Sequence, residues 1–202
     1  MPADPPFPLY AGESLNAWHR RTSPEFPGLA QQGFLPLLPV TCFRRWTEAG
    51  PLDAEERILG SLLRNAEALI LPPLRHCPRQ DPEQAFTVPV SVGWDLLTDL
   101  LRSVQAGGFR KCVLLHAHPL LADWLDCGLR DLRIETGMGL YRISLEGLGC
   151  DLRQPEVREA LTPLLAGTAS EAPPLLNTAA KSLNLFLKEI AGHPNPPPLR
   201  SA

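Results

Sequence analysis

A three-layer α/β domain, with a mostly parallel sheet and helices on both faces, is the fold class the sequence predicts. Three observations carry it. Short apolar runs alternate with amphipathic stretches of helical period, the stretches tend to close at glycines, and the 202 residues are 44% hydrophobic, enough for one substantial core. Strands alternating with helices at these lengths join in parallel through right-handed crossovers and place a ligand site at the carboxyl ends of the strands.

The chain divides into an arm, a domain and a tail. Prolines at 2, 5, 6, 8, 24 and 27 remove backbone donors from residues 1–32 and forbid a long helix there. Leu9, Tyr10, Trp18 and Phe26 still give this arm apolar groups to lay on a domain surface. Residues 33–192 hold the α/β domain, and 193–202, with PNPPPLR, form a flexible tail.

Inside the domain, GFLPLLPVTCF at 33–43 reads as a buried strand, with its prolines better placed at the ends than the middle. Asp53 and Glu56 resemble a capping box, after which Ile58, Leu59, Leu62, Leu63 and Ala66 share one helical face, predicting a helix over 54–66. ALILPPL at 68–74 is a second buried strand stopped by Pro72 and Pro73. Ser91 caps a second helix striped by Trp94, Leu97, Leu101 and Val104 and ended by Gly107 and Gly108. FRKCVLLH, a helix over 120–132, LYRISL at 140–145 and two further helices complete the alternation.

Charge and composition exclude several classes. The 19 Lys and Arg against 22 Asp and Glu leave a net charge of −3, which builds no strong positive field for nucleic acid. No apolar run reaches the roughly 20 residues that span a bilayer, and MPADPPFPLY lacks the basic and apolar regions of a secretion signal. A cytoplasmic protein that binds no membrane is the expectation. Five cysteines without CxxC spacing predict reduced thiols rather than a disulfide framework or zinc ribbon.

The predicted strand ends gather Thr41, Cys42, Arg44, Arg45 and Trp46, then His76 and Cys77, then His116 and His118. Such residues suit a zinc site or a thiol nucleophile. Against that stands a simpler assignment, in which one of His116 and His118 is a hydrogen-bonded core residue and the other points outward. Cys112 reads as core, and Cys77 as the more exposed thiol. GMGL at 137–140 lacks the glycines of a dinucleotide loop, and GxxxxGK[ST], GxSxG and HExxH do not occur.

Four stretches resemble the creatininase family. LPVTCFRRWTEAGPL from Leu38 matches the place of LPVGSxEQHGPHLPL, LILPPLRHC from Leu69 that of VLPPLPYG, FTVPVSV from Phe86 that of FPGTISL, and GFRKCVLLHAHPLL from Gly108 that of GFRKIVLVNGHGGN. GTASE from Gly167 stands where the family has GHAGE. The likeness covers roughly residues 33–176 and implies a creatininase-like sheet, two divalent metals at its strand ends, hydrolysis of cyclic or peptide amides, and hexamers.

Carried over residue by residue, the implied metal site is degraded. The first-motif glutamate falls on Arg44, its histidines on Trp46 and Ala49, and the following aspartate on Glu55. The third-strand histidine is kept as His118, while the neighbouring asparagines become His116 and Leu121. The GHAGE histidine becomes Thr168 and its glutamate Glu171, and the histidine before FPGT becomes Glu83. At most Glu55, His118 and Glu171 remain as ligands, with Cys42 as an added candidate, too few for two hydrolytic metals. A guanidinium at a metal seat adds a permanent charge there, so Arg44 is expected to pair with Glu55 or Glu171, with Trp46 filling vacated space.

The function this implies is a non-catalytic, degenerate creatininase-like protein that needs no cofactor. It would bind a protein partner, an intact family relative among the candidates, or assemble as a homo-oligomer. The alternative is a divergent amide hydrolase of amidohydrolase or peptidase type, using one Zn or Mn ion or a Cys77 nucleophile assisted by His76 or His116. A third reading has Arg44, Arg45 or Arg75 hold a small carboxylate.

Overall fold

The computed structural model describes residues 25–44, 53–78, 84–85, 87–166 and 172–196. In chain order they form α1 (Phe26–Gln31), β1 (Pro36–Val40), β2 (Phe43–Arg44), α2 (Ala54–Leu63), β3 (Leu69–Ile70), β4 (Gln84–Ala85), α3 (Val90–Ala106), β5 (Lys111–His116), α4 (Pro119–Thr136), β6 (Gly139–Ser144), α5 (Pro155–Leu165) and α6 (Pro174–Gly192). A single 3-10 turn, Glu146–Leu148, follows β6.

The main sheet is parallel throughout, in the order β3-β1-β5-β6. Its two faces bury separate apolar clusters. Leu37, Val113 and Leu115 pack with Ile58, Leu62, Leu161, Leu183 and Leu187, which belong to α2, α5 and α6. Leu38, Leu114 and Leu140 pack with Leu97, Leu101, Leu121 and Leu125 of α3 and α4. Alternate residues of one strand feed opposite faces, so the near-continuous apolar runs of β1 and β5 are what burial on both sides demands. Three-layer architecture is thus the observed fold, as expected.

Pro36 and Pro39 both lie inside β1, which is a central strand. Their missing donors fall where no partner is waiting. Pairing with β5 begins at Leu37 opposite Val113, one residue after Pro36. On the other side β3 has ended at Ile70 before it reaches Pro39, whose carbonyl instead accepts from the Leu74 N–H at 2.9 Å.

Several boundaries differ from the sequence reading. Of 68–74 only Leu69–Ile70 forms a strand, because Pro72 and Pro73 end the ladder. Ser91 does not cap α3, which starts one residue earlier after Pro89, a rigid entry that leaves the hydroxyl within the first turn. The capping box also fails: Asp53 makes no cap bond, its carboxylate accepting from Arg57 Nε at 3.0 Å. α4 runs on to Thr136, where Gly137 takes the left-handed conformation, φ 63°, that ends it. Within the arm, residues 26–31 form the short α1 and the first 24 residues lie outside those described.

Candidate functional site

β1 has neighbours reached by crossovers on opposite faces: α2 leads to β3 on one side, and α3 leads back across to β5 on the other. The carboxyl ends of β1 and β5 therefore flank the point where the winding reverses, the usual crevice of an open α/β sheet. Thr41 and Cys42 leave β1 there, and His116 to His118 leave β5. The small antiparallel pair β2–β4, with Arg44 opposite Gln84, lies just beyond Cys42.

Two adjacent carboxylates of α2 are buried beside these strand ends. Glu55, with no exposed surface, accepts from the Cys42 backbone N–H at 3.0 Å and from its thiol at 3.3 Å. Glu56 is clasped by the Arg75 guanidinium, through Nε to Oε1 and through Nη2 to Oε2 at 2.8 Å, and lies 3.5 Å from the Thr41 hydroxyl. Placing Glu56 in the first turn of α2 adds the favourable field of that helix terminus. Among the described residues, Arg75 and Glu56 thus form an internal ion pair at this edge. Arg75 as a receptor for a small carboxylate is corrected accordingly, since its fork is already filled by a bidentate partner.

Both histidines of the third strand are buried, so neither points outward as the simpler assignment had one of them do. The His116 Nδ1 lies 2.9 Å from the His118 carbonyl, which can only accept, so Nδ1 carries the proton. Its Nε2 then faces Arg142 Nη1 at 3.4 Å as an acceptor, and Arg142 also pairs with Asp126 at 2.9 Å. Burial, with the Arg142 charge beside it, holds the imidazole down to about pKa 4. His118 caps α4: its Nδ1 accepts from the Leu120 N–H at 3.1 Å.

Cys77 corrects a second expectation. It is buried, with its thiol 3.2 Å from the Thr41 carbonyl, and burial together with the nearby Glu55 carboxylate pushes its pKa up. The residues after the proline pair fold back under β1 instead of out into solvent, which the local sequence HCP does not reveal. A thiol so placed is far from thiolate. His76 is exposed beside it, and Cys112 is core, its thiol raised to about 12.

Arg44 is fixed only by its backbone in β2; its side chain, with Arg45, Trp46, Glu83 and Glu171, lies outside the described residues. Among the described residues no three His, Cys, Asp or Glu side chains converge as a metal site. Glu55, Glu56, His116 and His118 each have donors or acceptors committed to neighbours within the fold. The described donors do not by themselves make up a dinuclear centre, which needs several anionic or imidazole ligands facing one point.

No family model matches the sequence, and no curated protein matches it by sequence. Solved structures do. A creatinine amidohydrolase (creatininase) superposes with TM-score 0.66 at 13% identity, covering 90% of this chain and 100% of that one. A manganese creatininase gives 0.65 at 12%, over 88% and 99%. A mutant creatininase of Zn-Zn type gives 0.50 at 17%, over 73% and 63%. The chain thus has a creatininase-like fold, diverged far in sequence from the structures that share it. No helix among the described residues is long and apolar enough to cross a membrane.

Proposed function

We propose that this chain is a non-catalytic member of the creatininase-like folds, acting by binding protein in an oligomer or heteromeric complex. One observation carries the reading: the polar groups at the carboxyl edge of the sheet serve one another. Arg75 neutralises Glu56, Cys42 donates to Glu55, and His116 is a neutral link between the His118 carbonyl and Arg142. Catalysis asks for the opposite, groups left short of partners until substrate or metal supplies them. The expected countercharge for a lost metal, Arg44 with Glu55 or Glu171, remains part of this proposal, alongside the Arg75–Glu56 pair.

The neighbours named as manganese and Zn-Zn creatininases make metal-dependent amide hydrolysis the activity to test. Chain prepared without chelator is expected to hydrolyse neither creatinine nor a short peptide amide above a blank, with or without added Mn²⁺ or Zn²⁺. Isolated from its own cells under native conditions, it is expected in a stoichiometric assembly. Metal-dependent turnover overturns the non-catalytic half of the reading, and an inert monomer overturns the binding half.

A further inference from the structure

α3 and α4 leave a groove between them on the outer side of their layer. It holds about 250 Å³ and is lined by Trp94 and Thr98 of α3 and by Cys127, Asp131 and Glu135 of α4. That is room for one large side chain rather than a whole ligand. Its aromatic wall is rigid. Trp94 stacks on Trp124 with ring centroids 4.7 Å apart, and a Cβ at Gly128 would come within 2.4 Å of the Trp94 ring, so α4 is bare where that ring lies across it. The indole stays half-buried, with part of its surface turned to the groove. The groove is also acidic. Asp99 and Glu135 share Arg102, at 3.4 and 2.6 Å, and Asp131 is in no ion pair among the described residues. An occupant has to bring an aromatic group and positive charge together.

The chain carries such a segment. Residues 14–24 contain Trp18, His19, Arg20 and Arg21 and no acid. They join the fold beside the groove. α1, which follows at once, packs Phe26 and Leu29 into the cluster that holds Leu101 and Val104 of α3, and Ala30 lies 3.4 Å from a Cβ built at Gly108, just past the end of α3. At about 1.5 Å per residue, α3 rises roughly 20 Å from Gly107 back to Trp94. Extended chain covers about 3.3 Å per residue, so the seven residues from Glu25 back to Trp18 reach about 23 Å. With Trp18 level with Trp94, Arg20 and Arg21 fall level with Asp99, Asp131 and Glu135, and Pro24 favours an extended Ser23 on the way. We propose that residues 15–24 of the same chain lie along this groove, Trp18 against Trp94 and the two arginines on the three carboxylates. The domain thus closes its acidic α3–α4 face with its own arm, whether or not the carboxyl edge of the sheet is catalytic, and a partner of like chemistry reaches that face only by displacing it.

Disulfide trapping in the full chain tests it, because Cys127 lines the groove and the other four cysteines are buried. In dilute Ala17→Cys protein treated with oxidised glutathione, a disulfide to Cys127 within one chain is expected to form about tenfold faster than in Ala3→Cys, a position outside the docked stretch. Arg20→Glu with Arg21→Glu should remove most of that advantage, and adding Asp131→Lys with Glu135→Lys should restore it. Equal rates at positions 3 and 17 overturn the inference, since the arm would then meet Cys127 only by chance. So does a rate that ignores the charge reversals. Disulfides formed only between chains would give the groove to the arm of another copy, and no disulfide at all would leave it to a different occupant; either result overturns docking within the chain.

Discussion

The two ends of β5 solve the same problem in opposite ways. At its amino end Lys111 is buried, and its ammonium donates to the Ile190 carbonyl at 2.9 Å, the Ala191 carbonyl at 3.0 Å and the His193 carbonyl. These include carbonyls that the last turn of α6 leaves unpaired, with the negative end of the helix dipole behind them, so a cation is welcome. At its carboxyl end His116 is buried more deeply and stands next to a guanidinium, so the imidazole stays neutral. The amino edge spends one charge on joining a helix to the sheet. The carboxyl edge collects carboxylates, imidazoles and guanidinium groups, then cancels them against one another. Only the second arrangement has the raw material of an active site, and on the proposed reading its pairing is what would remove it.

Substitutions sharpen the contrast. The largest loss is expected for Arg75→Met, which strands the Glu56 carboxylate, 3% exposed, without its cation; chemical denaturation should show roughly 4 kcal/mol. Arg75→Met combined with Glu56→Leu should regain most of it, because the penalty belongs to the orphaned charge. Lys111→Met at the other end removes the shared donor from the α6 carbonyls and is expected to cost about 3 kcal/mol, with amide exchange accelerating first near Gly192.

Acid provides a third and smaller effect. His116 has its folded pKa, about 4, below its ordinary value of 6.5, so above pH 6.5 the imidazole is neutral in both folded and unfolded chains. Below that the unfolded chain takes up a proton the folded one refuses, and stability falls as pH drops from 6.5 toward 4. Between pH 7 and pH 5 the loss from this residue should be about 2 kcal/mol by denaturation midpoint. His116→Gln should flatten that part of the profile.

The framework of the fold was legible because it rests on period and length. The runs that became β1 and β5 are apolar throughout, and the stripes of α2, α3 and α4 repeat at helical spacing, so the alternation and parallel sheet followed. Motif letters such as LPV, LPPL and GFRK sit on strands and strand ends, which is why the resemblance pointed to the right fold. The site was less legible, since its pairings join distant segments. Glu56 read as a local cap yet reaches Arg75, 19 residues on; Cys77 read as exposed from its neighbours yet turns under Thr41, 36 residues back. The strands β2 and β4, two residues each, carry no periodic signal at all.

Titration calorimetry of the chelator-free full chain with Mn²⁺ and with Zn²⁺ at neutral pH tests the central claim most directly. With the edge groups committed to one another, neither ion should give a saturable heat, and Arg75→Met with Glu56 intact should be needed before any binding appears. Two ions taken up per unaltered chain would contradict the account and return the carboxyl edge of the sheet to catalysis.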